Sequence, residues 1–267
     1  MKTSIAQIAA LTSYGNAYLQ NQSVSFEFNH STAQNCKEIT FIEWPGAKLL
    51  AKNPNEWFKF LKKNKVKYLS LNYVISDEGL KEDRENVGFV GGGGQWLIST
   101  IIGEKADLWE GRWIVPEESK SEESLWTVNY GRIAKDWTLT HDENLPTLEK
   151  SDENLKSAFQ EIITFSKEQN EDKFTNIFIS ALNCLSSKKP LSDVHHKDIV
   201  IEENYSLKAR QILGACLKGF VFGSMGSWND MAFTDSTQEI YDELSDNLFL
   251  VIHQSICVAI NTFPYGS

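Results

Sequence analysis

Ser227, Asn229, Asp230 and His253 are the residues whose types could carry out acyl or group transfer. A hydroxyl, an imidazole and a carboxylate would supply nucleophile, base and orienting group of a hydrolase or transferase. The serine lies in Gly223-Ser224-Met225-Gly226-Ser227-Trp228-Asn229-Asp230. An esterase elbow requires Gly-x-Ser-x-Gly between a strand and a helix. Here the order is Gly-Ser-Met-Gly-Ser, and the preceding residues carry a helical period. The same residues also build a turn, with Gly223 at the left-handed position after a helix and Asn229 or Asp230 capping a short turn beyond it. Trp228 is the residue a turn explains least, because an indole wants one packed face and a partner for its N–H. Ser227, Trp228, Asn229 and Asp230 are therefore expected to form a contact surface, with the catalytic arrangement as the alternative.

Arg112 and Arg132 fall on neighbouring predicted strands with Trp113, Trp126 and Tyr130 close in sequence. A guanidinium beside aromatics either holds a carboxylate or phosphate bidentately or stacks on a ring. Both arginines join the candidate binding residues. Gly91-Gly92-Gly93-Gly94 could cradle an anion with backbone N–H groups, but it lacks a Gly-Lys-Ser/Thr ending and the Gly-x-Gly-x-x-Gly spacing. A strand comes after it instead of a helix. It reads as a bulged entry to that strand, with a flap over a pocket as the functional alternative. His195 and His196, between Asp193 and Asp198, are metal-compatible types, yet adjacent histidines rarely address one ion, so a solvated loop is expected. His253 reads as a boundary histidine on a long helix. With no Glu-x-x-His and no Cys-x-x-Cys, no metal and no cofactor is expected. Cys36, Cys184, Cys216 and Cys257 are expected to be free thiols.

The elements that would position these groups come from periodicity. Residues 3–20 read as a helix, and Asn53 with Pro54 starts another that ends near Lys63. Alternation marks strands at 23–28, 38–42 and 66–75. Residues 95–102, 106–115 and 125–133 form an antiparallel meander holding Trp96, Trp109, Trp113 and Trp126, with turns at 103–105 and 116–124. Residues 138–150 read as a linker. Beyond it the period is helical: a helix capped by Ser151, a second over 174–185, a third over 205–222, and a fourth opened by the capping box Ser236-x-x-Glu239. The class is α+β: an antiparallel Trp-rich sheet with flanking helices over 1–145, followed by a C-terminal four-helix unit over 146–267.

A formal charge of −10 on 267 residues argues against a general nucleic-acid or anionic-membrane surface. No stretch approaches the roughly 18 uninterrupted apolar residues of a membrane span, and the N-terminus lacks the apolar core of a signal peptide. A cytoplasmic protein is expected. Together these features suggest a binding or protein-interaction protein that recognises a protein or a small polar ligand between the Trp-rich sheet and residues 223–230. A structural homo-oligomer is the second alternative.

Overall fold

Helix α1 (Thr3–Leu19) is apolar on nearly every side, with Ile5, Ala6, Ile8, Ala9, Ala10 and Leu11 all buried. A helix of that kind belongs in the middle of a molecule rather than on its surface. In the computed structural model, which describes residues 1–115, 126–138 and 145–264, α1 packs against the sheet and against the last helix. The turn expected at 116–124 and part of the 138–150 linker fall outside the described residues.

The sheet has six strands: β1 (Cys36–Glu43), β2 (Lys48–Ala51), β3 (Tyr68–Val74), β4 (Gln95–Ile102), β5 (Lys105–Ile114) and β6 (Trp126–Thr138), in the order β2-β1-β6-β5-β4-β3. The meander β4-β5-β6 is antiparallel, as the alternation and the tight turn at Gly103 require. The sheet as a whole is mixed, because β1 pairs with β6 in parallel. This corrects the antiparallel expectation: strand pairing across some 90 residues leaves no trace in local periodicity. Leu71, Ile98, Trp109, Tyr130 and Phe41 line the covered face and are fully buried. Phe41 stacks there on Trp57 of α2 (Pro54–Lys63), with ring centroids 4.3 Å apart. The helix α2 starts where its signals place it, with the Asn53 side chain accepting from the Glu56 N–H at 2.9 Å.

The alternating segment 23–28 is not a strand. Asn55 takes the place of a neighbouring strand, accepting from the Phe26 N–H at 2.9 Å and donating to the Phe26 carbonyl at 3.2 Å. The same device closes the exposed edge of the sheet. At β3, Asn16 of α1 accepts from the Leu69 N–H at 2.7 Å and donates to its carbonyl at 2.9 Å. Asn261 does the same at Leu71, at 2.8 and 2.9 Å. Two side-chain amides thus occupy positions at which another strand would add to the sheet.

The later helices are α4 (Leu148–Glu168), α5 (Asp172–Cys184), α6 (Leu207–Gly219) and α7 (Asp235–Asn261). They pack on one another but do not stand apart as a bundle, since α7 also packs against β3 and α1. Helix α4 is capped by Thr147, and Ser151 lies buried one turn inside it. The expected capping box at α7 is absent: the helix follows Thr234 without a side-chain cap. One 18-residue window of α7 reaches a mean hydropathy of 1.2, long and apolar enough to cross a membrane, and 56% of it is packed inside the molecule. All four cysteines are free and buried. A short helix not foreseen from the sequence, α3 (Leu80–Asn86), lies between β3 and the glycine run.

Candidate functional site

Trp228 is not displayed. It is fully buried in a single turn of 3-10 helix between α6 and α7. Its indole N–H donates to the Ser245 hydroxyl at 2.8 Å, and Phe174, Phe178 and Tyr241 surround the ring at centroid distances of 5.0, 5.3 and 5.3 Å. Both needs of an indole are met inside the core, so the expected contact surface loses its largest member. Ser227 donates to the Gly223 carbonyl at 3.1 Å and caps the Asn229 N–H, while the Asp230 carboxylate accepts from the Gly226 N–H. The loop's most exposed side chain is Met225, 96% accessible.

His253 does not join these groups. It is fully buried among Tyr73, Trp96, Phe220 and Phe249, with Nδ1 2.6 Å from the Phe249 carbonyl and Nε2 without a partner among the described residues. Burial pushes its pKa down to about 4, so it is neutral at pH 7. The two arginines are also separated. Arg132 pairs across the sheet with Trp109 on the covered face, whereas Arg112 pairs with Asn129 and points to the opposite face. Arg132 is held bidentately by Glu43 at 2.5 and 3.2 Å and by Asp107 at 2.7 Å. Arg112 stacks over Trp44 at 3.7 Å and reaches Glu110 at 3.3 Å. His195 is solvated as expected, but His196 is not. It is 1% exposed, its Nδ1 lies 2.9 Å from the Ser31 hydroxyl, and burial with the neighbouring His195 pushes its pKa down to about 4. Among the described residues no three His, Cys, Asp or Glu side chains converge as metal ligands.

The residues that do gather around open space belong to α3 and the glycine run. Arg84 of α3 is 1% exposed and binds α7 through Asp246 at 2.6 Å and Asp242 at 3.0 Å. Asn229 donates to the Arg84 carbonyl at 2.7 Å. The 223–230 loop therefore positions α3. It also abuts the next segment, because a Cβ on Gly88 would lie 2.6 to 2.7 Å from the backbone of Gly223 and Ser224. Gly88→Ala is expected to force the two loops apart and cost about 1–3 kcal/mol, measured as a lowered urea midpoint. Beyond Gly88 the chain exposes Phe89 (67%) and Val90 (58%), with Lys2 donating to the Phe89 carbonyl at 2.5 Å.

The run Gly91–Gly94 then passes between two clefts. One, of about 330 Å³, is lined by Lys2, Ser4, Trp96, Arg112 and Trp113. The other, of about 370 Å³, is lined by Asp77, Glu78, Glu82, Asp83 and Ser76. The clefts share Gly91, Gly92, Gly94, Gln95 and Glu110. Gly94 has φ +75°, and a Cβ there would meet the Tyr73 ring at 2.5 Å and the Asp83 carboxylate at 2.8 Å. Only glycine lets the backbone pass so close above that carboxylate. Of the two arginines expected to bind a ligand, Arg112 borders the groove and Arg132 does not. Asp83 is hard to single out because Ser76–Asn86 looks like a polar loop, yet Leu80, Asp83, Arg84 and Val87 stand at i, i+3, i+4 and i+7. That helical spacing places two charged residues at buried positions. Comparison with known protein families, curated protein sequences and solved structures finds no match for this chain.

Proposed function

We propose that this is a binding protein whose contact surface is the 88–94 segment and the two clefts beside it. The observation that carries the reading is the pairing of two exposed apolar side chains, Phe89 and Val90, with two adjacent clefts, one bordered by Lys2 and the Arg112–Glu110 pair and the other lined by carboxylates with no basic side chain. Solvent-exposed Phe beside Val is unfavourable unless a partner covers it. Val74 (46%) and Ile75 (41%), which line the acidic cleft, add exposed apolar surface beside the glycine run. A protein partner suits this surface, because Phe89 stands outside both clefts while Val90 lines one and Val74 and Ile75 line the other, so the apolar area runs across the surface.

The double variant Phe89→Ser/Val90→Ser tests the reading. Both residues are exposed, so folding should be unchanged, with a melting temperature within about 2 °C of the parent. A partner co-purified with the parent chain from the cells that produce it should be lost from the variant. Equal recovery by both chains would reject the surface. Light scattering at two concentrations identifies the case in which the partner is a second copy of the same chain.

A further inference from the structure

The acidic cleft contains a charge that no described residue neutralises. Asp83 is 4% exposed, and both its hydrogen bonds fall on one oxygen, Oδ2, from the Tyr73 hydroxyl at 3.2 Å and the Ser76 N–H at 3.0 Å. Both donors are neutral. The Ser76 hydroxyl, which lines the same cleft, is buried without a hydrogen-bond partner among the described residues. The other carboxylates in the lining are Asp77, Glu78, Glu82 and Glu110, and no lysine, arginine or histidine among the described residues lines the space. The other oxygen, Oδ1, faces the cleft, and no basic side chain of the lining supplies a counter-charge to it.

We propose that this cleft receives an arginine side chain from a protein partner, with Asp83 as the buried counter-charge. The inference rests on the reading of 88–94 as a contact surface and names what that surface recognises. A bare metal ion does not fit, because the carboxylates are spread around about 370 Å³ and no three described ligands converge. A guanidinium does fit. Its planar fork addresses carboxylates two donors at a time, and Asp83 Oδ1 has no partner among the described residues. Gly91 has open space where a side chain would stand, and Val74 and Ile75 of the lining offer apolar contact to the methylene stem. Phe89 and Val90, exposed just before the glycine run, would cover apolar residues on either side of that arginine, a contact that a small free cation does not use.

Calorimetric titration of the whole chain with the capped tripeptide Ac-Ala-Arg-Ala-NH2, its citrulline counterpart and agmatine tests the proposal. The arginine peptide should bind at least tenfold more tightly than the citrulline peptide, which has the same shape without the charge. Asp83→Asn should remove that preference. If Asp83→Asn fails to fold, Glu78→Gln/Glu82→Gln serves in its place and should weaken the arginine peptide at least threefold. Equal binding of the two peptides, no binding of either, or an unchanged preference in the variants would overturn the proposal. Agmatine binding as tightly as the arginine peptide would overturn the protein source. A partner lost on Phe89→Ser/Val90→Ser alongside equal peptide binding would remove the arginine and leave the contact surface standing.

Discussion

Asn16→Ala is expected to destabilise the fold by about 3 kcal/mol, the largest single-residue effect anticipated outside the apolar core. The side chain is 1% exposed and both accepts from and donates to Leu69 on the outer edge of β3. Truncation leaves a buried N–H and a buried carbonyl without that partner, at about 1–3 kcal/mol each. For a chain of this size the melting temperature should fall by roughly 10 °C. Asn16→Asp keeps the acceptor but sets a buried carboxylate oxygen against the Leu69 carbonyl, so a loss at least as large is expected at pH 7. The alanine variant should also aggregate faster on warming, since the amide that blocks addition of a further strand is gone. Differential scanning calorimetry with light scattering reads both effects. A fall of less than 1 kcal/mol would show that the amide clip contributes little beyond the neighbouring Asn261.

The second large effect is acid sensitivity. His196 and His253 are both held neutral, each pushed down to about 4 from an ordinary value of 6.5, with burial the largest cause. Their folded pKa values lie below the unfolded ones, so between these limits the unfolded chain binds more protons. Stability is then fully present above pH 6.5 and is lost as pH falls toward 4. Each histidine contributes up to about 3 kcal/mol to that loss, about 6 kcal/mol together. His30, lowered by burial, acts in the same direction. Asp152, Asp198 and Asp242 are held below their ordinary value, so their contribution is lost only at lower pH, below about 4. Urea midpoints at pH 7, 6, 5 and 4.5 should fall steeply, and His253→Leu should flatten the slope by about half. A flat profile for the parent chain would show that both imidazoles protonate without unfolding.

These buried polar groups also mark where the sequence is readable. The meander and α2 are legible because each carries its own signal: alternation around the Gly103 turn in one, Asn53-Pro54 in the other. The parallel pairing of β1 with β6 is not, since it depends on partners far apart in the chain. Residues 23–28 carry the alternation of a strand without a strand neighbour, because Asn55 supplies the hydrogen bonds. Trp228 finds the packed face and the hydrogen-bond acceptor that its type demands, but both lie in the core, on α5 and α7. The turn account of Ser227, Asn229 and Asp230 describes what those side chains do, and their effect is to hold α3. The glycine run reads as the entry to a strand and does lead directly into β4, but its place between two clefts is not readable from the glycines alone. Asp83 is hidden in a stretch dense with charge, where only the spacing from Leu80 to Val87 distinguishes a helix from a solvated loop.

The central claim is that residues 88–94 meet a partner. A photo-crosslinking amino acid placed at position 89 tests it most directly, with the same group at Lys48 on the far edge of the sheet as the control. Irradiation of living cells should give one discrete higher-mass adduct from position 89 and none from position 48. No adduct at 89, or the same adducts from both positions, would contradict the account.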